Sequence, residues 1–303
     1  MQKNLLKLLD LSKEEIMRIL DVADQLKYEQ KNNMSHKILE GKTLAMIFEK
    51  ASTRTRVSFE VGIFQLGGHG VVMSSADSQL GRGEPIKDTA RVLSRYCDGI
   101  MMRTFGQETI EEVAKYSSVP VINGLTDFSH PCQVLADLMT IRERLSRLEG
   151  VKICYIGDGN NMANSIIVGG LKCGMNVSVA CPKGYEPHKT ILEFAENADA
   201  EFVLTTDIYK AAKNADVVIT DVWASMGMEK DAEKRRKAFK GYCVDDKLMS
   251  YTNNAMVQHC LPAHRGEEIS DDVLEGHADE IFEEAENRLH VQKAVMAILM
   301  GNI

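Results

Sequence analysis

Several things the 303-residue chain lacks narrow what it does. No apolar run approaches the ~20 residues that a membrane-spanning helix needs. The first residues, Met1-Gln2-Lys3-Asn4-Leu5-Leu6, are too polar for a secretory signal. Basic charge is not in excess: 36 Lys and Arg stand against 44 Asp and Glu, a net charge of −8. That balance disfavours general binding to nucleic acid or to an anionic membrane, while leaving room for a local basic site that takes a small anion. Seven cysteines, at 97, 132, 154, 173, 181, 243 and 260, contain no CxxC pair. Their odd number, with no signal peptide, predicts a reduced, cytoplasmic protein. No spacing resembles a zinc site, so no metal is expected, and no dinucleotide fingerprint is complete, so no cofactor is expected.

What is present is alternation. Thr43-Leu44-Ala45-Met46-Ile47-Phe48 reads as a buried parallel strand, and residues from about 54 to Leu66 as the helix that follows, stopped by Gly67-Gly68. Ser12 with Glu15 forms a capping box before an earlier helix. Strands follow at 71–73, 99–103 and 119–123, with helices at 86–97 and 110–117 between them. Pro131 suits the first position of a long helix ending near Gly150. The alternation then restarts: strands at 151–156, 177–180, 202–204, 217–219 and 256–257, and helices at 161–173 and 191–198. Residues 286–300 read as one amphipathic helix. The expected fold class is α/β, with two domains that each hold a mostly parallel sheet flanked by helices. The first domain is expected over 1–130, the connecting helix over 131–150 and the second domain over 151–285, with about 286–303 returning to the first.

Polar residues gather at strand ends, where open α/β sheets bind ligands, and two such edges facing each other would make one cleft. Ser52-Thr53-Arg54-Thr55-Arg56 lies where the first strand hands over to a helix. The first N–H groups of a helix have no internal partners and carry partial positive charge. Three hydroxyls and two guanidiniums beside them predict an anion site, with phosphate the expected anion. Arg103 ends another strand and adds a third guanidinium, and Asn123 ends the next. His130-Pro131-Cys132-Gln133 sets an imidazole just outside a helix start and an amide in its first turn. Either can donate to a carbonyl oxygen as charge develops there. Gly157-Asp158-Gly159-Asn160-Asn161-Met162 looks like a dinucleotide fingerprint but has Met162 at the third glycine. Cys181-Pro182 also stands where an acidic ribose partner belongs, so the paired asparagines read as substrate contacts instead. Asp221-Val222-Trp223-Ala224-Ser225-Met226-Gly227 holds the one tryptophan and offers a carboxylate for an ammonium. His259-Cys260-Leu261-Pro262 places a thiol between polar turns.

Four of these segments, Ser52 to Arg56, His130 to Gln133, Asp221 to Gly227 and His259 to Pro262, in this order over essentially the whole chain, resemble those of the carbamoyltransferases. The Ser-Met-Gly and His-Cys-Leu-Pro segments are similar to the ornithine-specific branch. The resemblance implies two α/β domains joined by two helices. It implies transfer of a carbamoyl group from carbamoyl phosphate to the δ-amine of L-ornithine, giving L-citrulline and phosphate. Another amine such as putrescine is the alternative acceptor. It further implies that Ser52, Thr53, Arg54 and Thr55 hold the phosphate, while Arg103, His130 and Gln133, with Thr55, surround the carbonyl and amide. Asn161, Asp221, Ser225 and Met226 are implied to bind ornithine. Cys260 and Leu261 are placed beside the reacting centre, and Arg288 completes the carbamoyl phosphate site. Gln79 is implied to come from a neighbouring subunit of a homotrimer. Arg103, His130, Asp221 and Cys260 are the implied catalytic residues.

Overall fold

Two all-parallel sheets organise the chain in a computed structural model that describes residues 3–74, 83–223 and 231–301. Contacts divide it into two units, Met1–Ala136 with Arg288–Ile303, and Asp137–Asn287.

The first unit begins with α1 (Lys13–Lys31), whose Ser12–Glu15 capping box forms as its sequence requires. It continues through β1 (Thr43–Phe48), α2 (Thr53–Gln65), β2 (His69–Ser74), α3 (Ile86–Tyr96), β3 (Gly99–Arg103), α4 (Gln107–Tyr116) and β4 (Val121–Leu125) to α5 (Pro131–Leu145). The strand order is β2-β1-β3-β4. Leu44 to Ile47 of β1 are all buried, as befits a parallel strand covered on both faces. On one face Ala45, Ile47, Ile100, Met102 and Val121 pack with Ala90 of α3 and with Ile110 and Val113 of α4.

The second unit runs through β5 (Lys152–Ile156), α6 (Asn161–Lys172), β6 (Asn176–Ala180), α7 (Lys189–Glu196), β7 (Phe202–Thr205), α8 (Ile208–Ala212), β8 (Val217–Thr220), α9 (Ala232–Ala238), α10 (Asp246–Met249), β9 (Met256–His259) and α11 (Asp271–Gly276) to α12 (Ala278–Gly301). Its sheet is ordered β7-β6-β5-β8-β9. The short helices α8, α10 and α11 open on side-chain caps from Asp207, Asp245 and Ser270.

The expected parallel α/β architecture holds in both units. The division between them falls inside α5 and inside α12. Three local expectations need correction. Asn123 lies within its strand rather than at its end, buried, with its amide donating to the Leu6 carbonyl at 2.7 Å. The last helix starts at Ala278, not near 286, and residues 290–300 are buried on every face, so its last three turns are not amphipathic. In the first unit an added Cβ at Gly62 of α2 would lie 2.9 Å from Met296 Cε of α12, so glycine there permits close helix packing. The long helix from Pro131 ends at Leu145, five residues before Gly150.

The connectivity sets the sites. In the first sheet the chain leaves β1 for β2 on one side and later adds β3 and β4 on the other. In the second, β6 and β7 lie on one side of β5, and β8 and β9 on the other. Each sheet therefore has a switch point where adjacent carboxyl ends diverge, the place such sheets bind ligands. Phe48 pairs with Arg103 at the first, and Ile156, Thr220 and His259 share one row at the second.

Candidate active site

In the first unit the switch point carries a positive cluster around one threonine hydroxyl. Ser52 caps α2, its Oγ accepting from the Thr55 N–H at 3.2 Å. Thr55 is fully buried. Its Oγ1 accepts from Arg288 Nη2 at 3.1 Å and from Arg103 Nη1 at 3.4 Å. The hydroxyl of Ser52 lies 3.0 Å away. Arg288, on α12, also donates through Nη1 to Gln133 Oε1 at 3.0 Å. Its Nε is buried with no hydrogen-bond partner among the described residues. Thus Ser52, Thr55, Arg103, Gln133 and Arg288 form one connected set, while Thr53 and Arg54 occupy the first turn of the same helix. Two guanidiniums held at one neutral oxygen beside a helix N-terminus create a field that an anion relieves.

His130 is set just before α5 by a local polar turn. Thr126 Oγ1 accepts from the Ser129 N–H at 3.0 Å and donates to Gln107 Oε1 at 2.7 Å. Burial, then the charges of Arg288 and Arg103, hold the His130 imidazole well below its usual pKa. It is therefore a neutral ring at ordinary pH, suited to hydrogen-bond an uncharged carbonyl group. Lys50, which the sequence reading left aside, is turned to Asp127 and lies 4.3 Å over the Phe105 ring.

In the second unit the row Ile156, Thr220 and His259 is followed by Gly157, Asp221 and Cys260. Asp221 is buried, and its carboxylate is held from several sides. Asn160 Nδ2 donates to Oδ2 at 3.1 Å, the Val222 N–H to Oδ1 at 2.8 Å and the Cys260 thiol to Oδ1 at 3.1 Å. Burial, then the Asp221 charge and hydrogen bond, push the Cys260 thiol well above its ordinary range. Its S–H is the donor to Asp221. The expectation for the paired asparagines is corrected for Asn160. Its Oδ1 caps α6 through the Met162 and Ala163 N–H groups at 2.9 and 3.3 Å, while its amide orients Asp221. That role has no local sequence signal, since cap and carboxylate are 61 residues apart. Asn161 opens α6, half-buried. Leu261 follows Cys260 with φ 55°, a left-handed conformation. Gln79, Ser225 and Met226 lie outside the described residues.

The glycines of the false fingerprint have a chain-packing purpose. A Cβ at Gly159 would sit 2.2 Å from the Glu186 backbone carbon and 2.3 Å from Pro187 N. The protein's own backbone occupies the close approach that a pyrophosphate takes in a dinucleotide site. Nearby, Arg235 Nη1 donates to Asp158 Oδ2 at 2.6 Å and to the Trp223 carbonyl at 2.8 Å. Both members of this ion pair are largely buried. Arg235→Met is expected to cost about 3 kcal/mol, because it strands a buried carboxylate. Urea unfolding checks this, and Asp158→Asn added to Arg235→Met should recover part of the loss. Among the described residues one group, His264, Glu267 and Glu268, brings candidate metal-ligand atoms within 4.8 Å of one another. Glu268 in it is already engaged by His259 Nε2 and the His264 N–H.

Comparison with known proteins covers both units. Residues 3–143 match the family described as "Aspartate/ornithine carbamoyltransferase, carbamoyl-P binding domain". Residues 149–299 match "Aspartate/ornithine carbamoyltransferase, Asp/Orn binding domain". The chain is 56% identical over 303 residues to an ornithine carbamoyltransferase of Pelobacter propionicus, covering 99% of each. Among solved structures, the ornithine carbamoyltransferase of Pyrococcus furiosus superposes with a TM-score of 0.94 at 52% identity, over 99% of this chain and 97% of that one. The anabolic enzyme of Campylobacter jejuni gives 0.94 at 47% identity over the full length of both. A cationic switch point in one parallel sheet, a held carboxylate in the other and full-length similarity in sequence and fold agree: this chain belongs to the aspartate/ornithine carbamoyltransferase family.

Proposed function

We propose that the chain transfers the carbamoyl group of carbamoyl phosphate to the δ-amine of L-ornithine, giving L-citrulline and phosphate. Full-length relatives that bear the ornithine carbamoyltransferase name support the reaction. The observation that carries it in this chain is the Thr55 hydroxyl shared by Arg103 and Arg288.

The chemistry needs negative charge stabilised twice. As the amine forms its N–C bond, charge grows on the carbonyl oxygen, and Arg103, Thr55 and His130 are the donors for it. As the C–O bond to phosphate breaks, charge moves to the leaving group. Ser52, Thr53, Arg54, Arg288 and the first N–H groups of α2 are the donors that hold it. Gln133 meets the carbamoyl amide. Carbamoyl phosphate brings its own leaving group, so the step asks for no cofactor. On the second unit Asp221 takes an ornithine ammonium, with Asn161, Ser225 and Met226 as further contacts. Cys260 and Leu261 border the reacting atoms. The attacking amine must first lose a proton, since an alkylammonium with a pKa near ~10.4 has no lone pair to give. A homotrimer in the cytoplasm, with Gln79 given to a neighbour's site, completes the reading and rests on the resemblance of the motifs.

One assay tests it. Purified protein with carbamoyl phosphate should form citrulline from ornithine, with no carbamoyl transfer to putrescine or aspartate. The rate of the chemical step should rise between about pH 6 and 9 as the amine deprotonates. Preference for putrescine, a flat pH profile, or binding without turnover would each count against the assignment. Light scattering on the same sample measures the assembly, and a monomer would remove the shared-site reading.

A further inference from the structure

A cavity of about 520 Å³ lies in the first unit, between the end of α1, residues 33–40 and the end of α2, and takes no part in the reaction described above. That volume suits a small molecule. The lining residue that points to a ligand is His36. Its side chain is 7% exposed, and both ring nitrogens are buried with no hydrogen-bond partner among the described residues. Nδ1 stands 3.3 Å from Glu29 Oε2 without completing a hydrogen bond. Burial, then the charge of Lys293, hold the imidazole below its usual pKa. The ring is therefore neutral, with one N–H and one lone pair to offer. A buried polar group left unmatched costs about 1–3 kcal/mol, which a ligand that pairs with it recovers.

Two glutamines continue the wall. Lys293 of α12 is fully buried, and its ammonium donates to Gln30 Oε1 and to Gln65 Oε1, each at 3.0 Å. An ammonium only donates, so it fixes the direction of both amides: oxygen toward the lysine, NH2 away from it. Both glutamines line the cavity. Burial draws the Lys293 pKa down to about 8, which leaves the group mostly charged at pH 7. The wall is thus rich in donors and backed by a positive charge, a setting for a carboxylate. The rim differs: Lys37, Glu40, Met34 and Phe64 line it from exposed positions. With Glu29 behind His36, two positive charges meet two negative ones, so an occupant of balanced charge is a better match than a bare anion.

We propose that this cavity binds an α-amino acid with an apolar side chain, its carboxylate on His36, Gln30 and Gln65, its ammonium toward Glu40 and its side chain against Met34 and Phe64. None of these residues is among those assigned to carbamoyl transfer, so the inference stands apart from that reading.

The probe is L-leucine, titrated calorimetrically into the protein at pH 7 without carbamoyl phosphate. A ligand of this size should bind with a Kd on the order of 1 mM. His36→Phe keeps the bulk of the ring without its nitrogens and should weaken leucine about tenfold. Glu40→Gln, at an exposed position, should weaken it about threefold. Asp221→Asn alters the reaction site instead and should leave the leucine Kd within about twofold of wild type. Two analogues dissect the ligand on the unmodified protein. 3-Methylbutylamine, which lacks the carboxylate, should bind about tenfold more weakly than leucine, and 4-methylpentanoate, which lacks the ammonium, about threefold more weakly. No binding of leucine up to about 20 mM overturns the proposal. So does an unchanged Kd in His36→Phe, or an amine that binds as tightly as leucine. Binding lost in Asp221→Asn but kept in His36→Phe would put leucine in the reaction site and overturn it too. An acid as tight as leucine, or an unchanged Kd in Glu40→Gln, overturns the amino-acid assignment. If His36→Phe does not fold, the two analogues and Glu40→Gln decide.

Discussion

Arg288→Met is expected to weaken carbamoyl phosphate binding about 100-fold, or about 3 kcal/mol. The size follows from where the guanidinium sits. It is buried, with Nη1 spent on Gln133 and Nη2 on Thr55, so it binds as a fixed charge with little entropy left to lose. Charge-assisted hydrogen bonds contribute about 1.5–3 kcal/mol each, and long-range attraction to a phosphate adds to that. Methionine fills much of the volume but gives up the hydrogen bonds that Arg288 donates to Gln133 and Thr55, so some stability is lost as well. The binding constant must therefore be read on folded protein, by calorimetry. Affinity within threefold of wild type would remove Arg288 from the phosphate site. The same variant has a second readout. Arg288 follows burial as a cause of the low His130 pKa, so its removal should raise that pKa without restoring the usual value near 6.5. The sign for stability follows. A histidine that resists protonation only when folded adds stability above its unfolded pKa. That stability drains as pH falls below about 6.5, because the unfolded chain takes the proton and the native one does not. In Arg288→Met this acid-side loss should begin at the same pH and be smaller. Histidine titration by NMR, with urea midpoints from pH 7 down to 5, checks both.

Much of the first site was legible because its pieces lie close in sequence. A buried strand, a run of hydroxyls and arginines and a helix pattern fix an N-terminal anion site without knowledge of the remaining chain. Thr55 is the instructive residue. The sequence places it in the first turn of α2, but its importance comes from Arg103, 48 residues on, and Arg288, 233 residues on. The two arginines reach it by different routes. Arg103 arrives through the register of adjacent strands, which parallel pairing makes readable. Arg288 arrives on α12, and there the local reading failed: a helix start placed near 286 misses the two turns that begin at Ala278. Those turns carry Phe282 toward solvent and Glu284 inward, which blurs the apolar stripe. The second site was less legible. Asp221 and Cys260 stand out as polar residues after strands, but Asn160 acts through a contact 61 residues away. It also had an ordinary local explanation, as a helix cap. The Gly157–Met162 segment shows the converse. A motif-like glycine spacing was rightly set aside on its third position, and the reason for Gly159 is a backbone crossing at 185–187 that no motif encodes.

Asp221→Asn should lower kcat/KM for ornithine about 1000-fold, roughly 4 kcal/mol, while carbamoyl phosphate affinity stays within threefold. Two losses combine. The first is the charge: an amide in place of a carboxylate gives up most of an ion-paired hydrogen bond to an ammonium, about 1.5–3 kcal/mol. The second is the arrangement around the side chain. Asp221 accepts on both oxygens, from the Val222 N–H and the Cys260 thiol on Oδ1 and from the Asn160 amide on Oδ2. Asparagine keeps one acceptor. If its oxygen serves Val222 and Cys260, its NH2 faces the NH2 of Asn160. Asn160 does not turn to accommodate it, because its own oxygen caps α6 through Met162 and Ala163. If the amide flips, the NH2 meets the Val222 N–H instead. Either way two donors oppose each other in a buried place, at a cost of about 1–3 kcal/mol. The thiol reports the change independently. The Asp221 charge and hydrogen bond are, after burial, what raise the Cys260 pKa. Removing them lowers it, and burial keeps it above the ordinary thiol range. Cys260 should therefore react faster with a thiol reagent at pH 8 in Asp221→Asn than in wild type, although nothing has been done to the cysteine. Wild-type kcat/KM would remove Asp221 from the amine. An equal fall in carbamoyl phosphate affinity would show that the variant disturbs more than the ornithine half. A fall in kcat/KM with unchanged thiol reactivity would separate Asp221 from Cys260 and leave the carboxylate acting on the substrate alone.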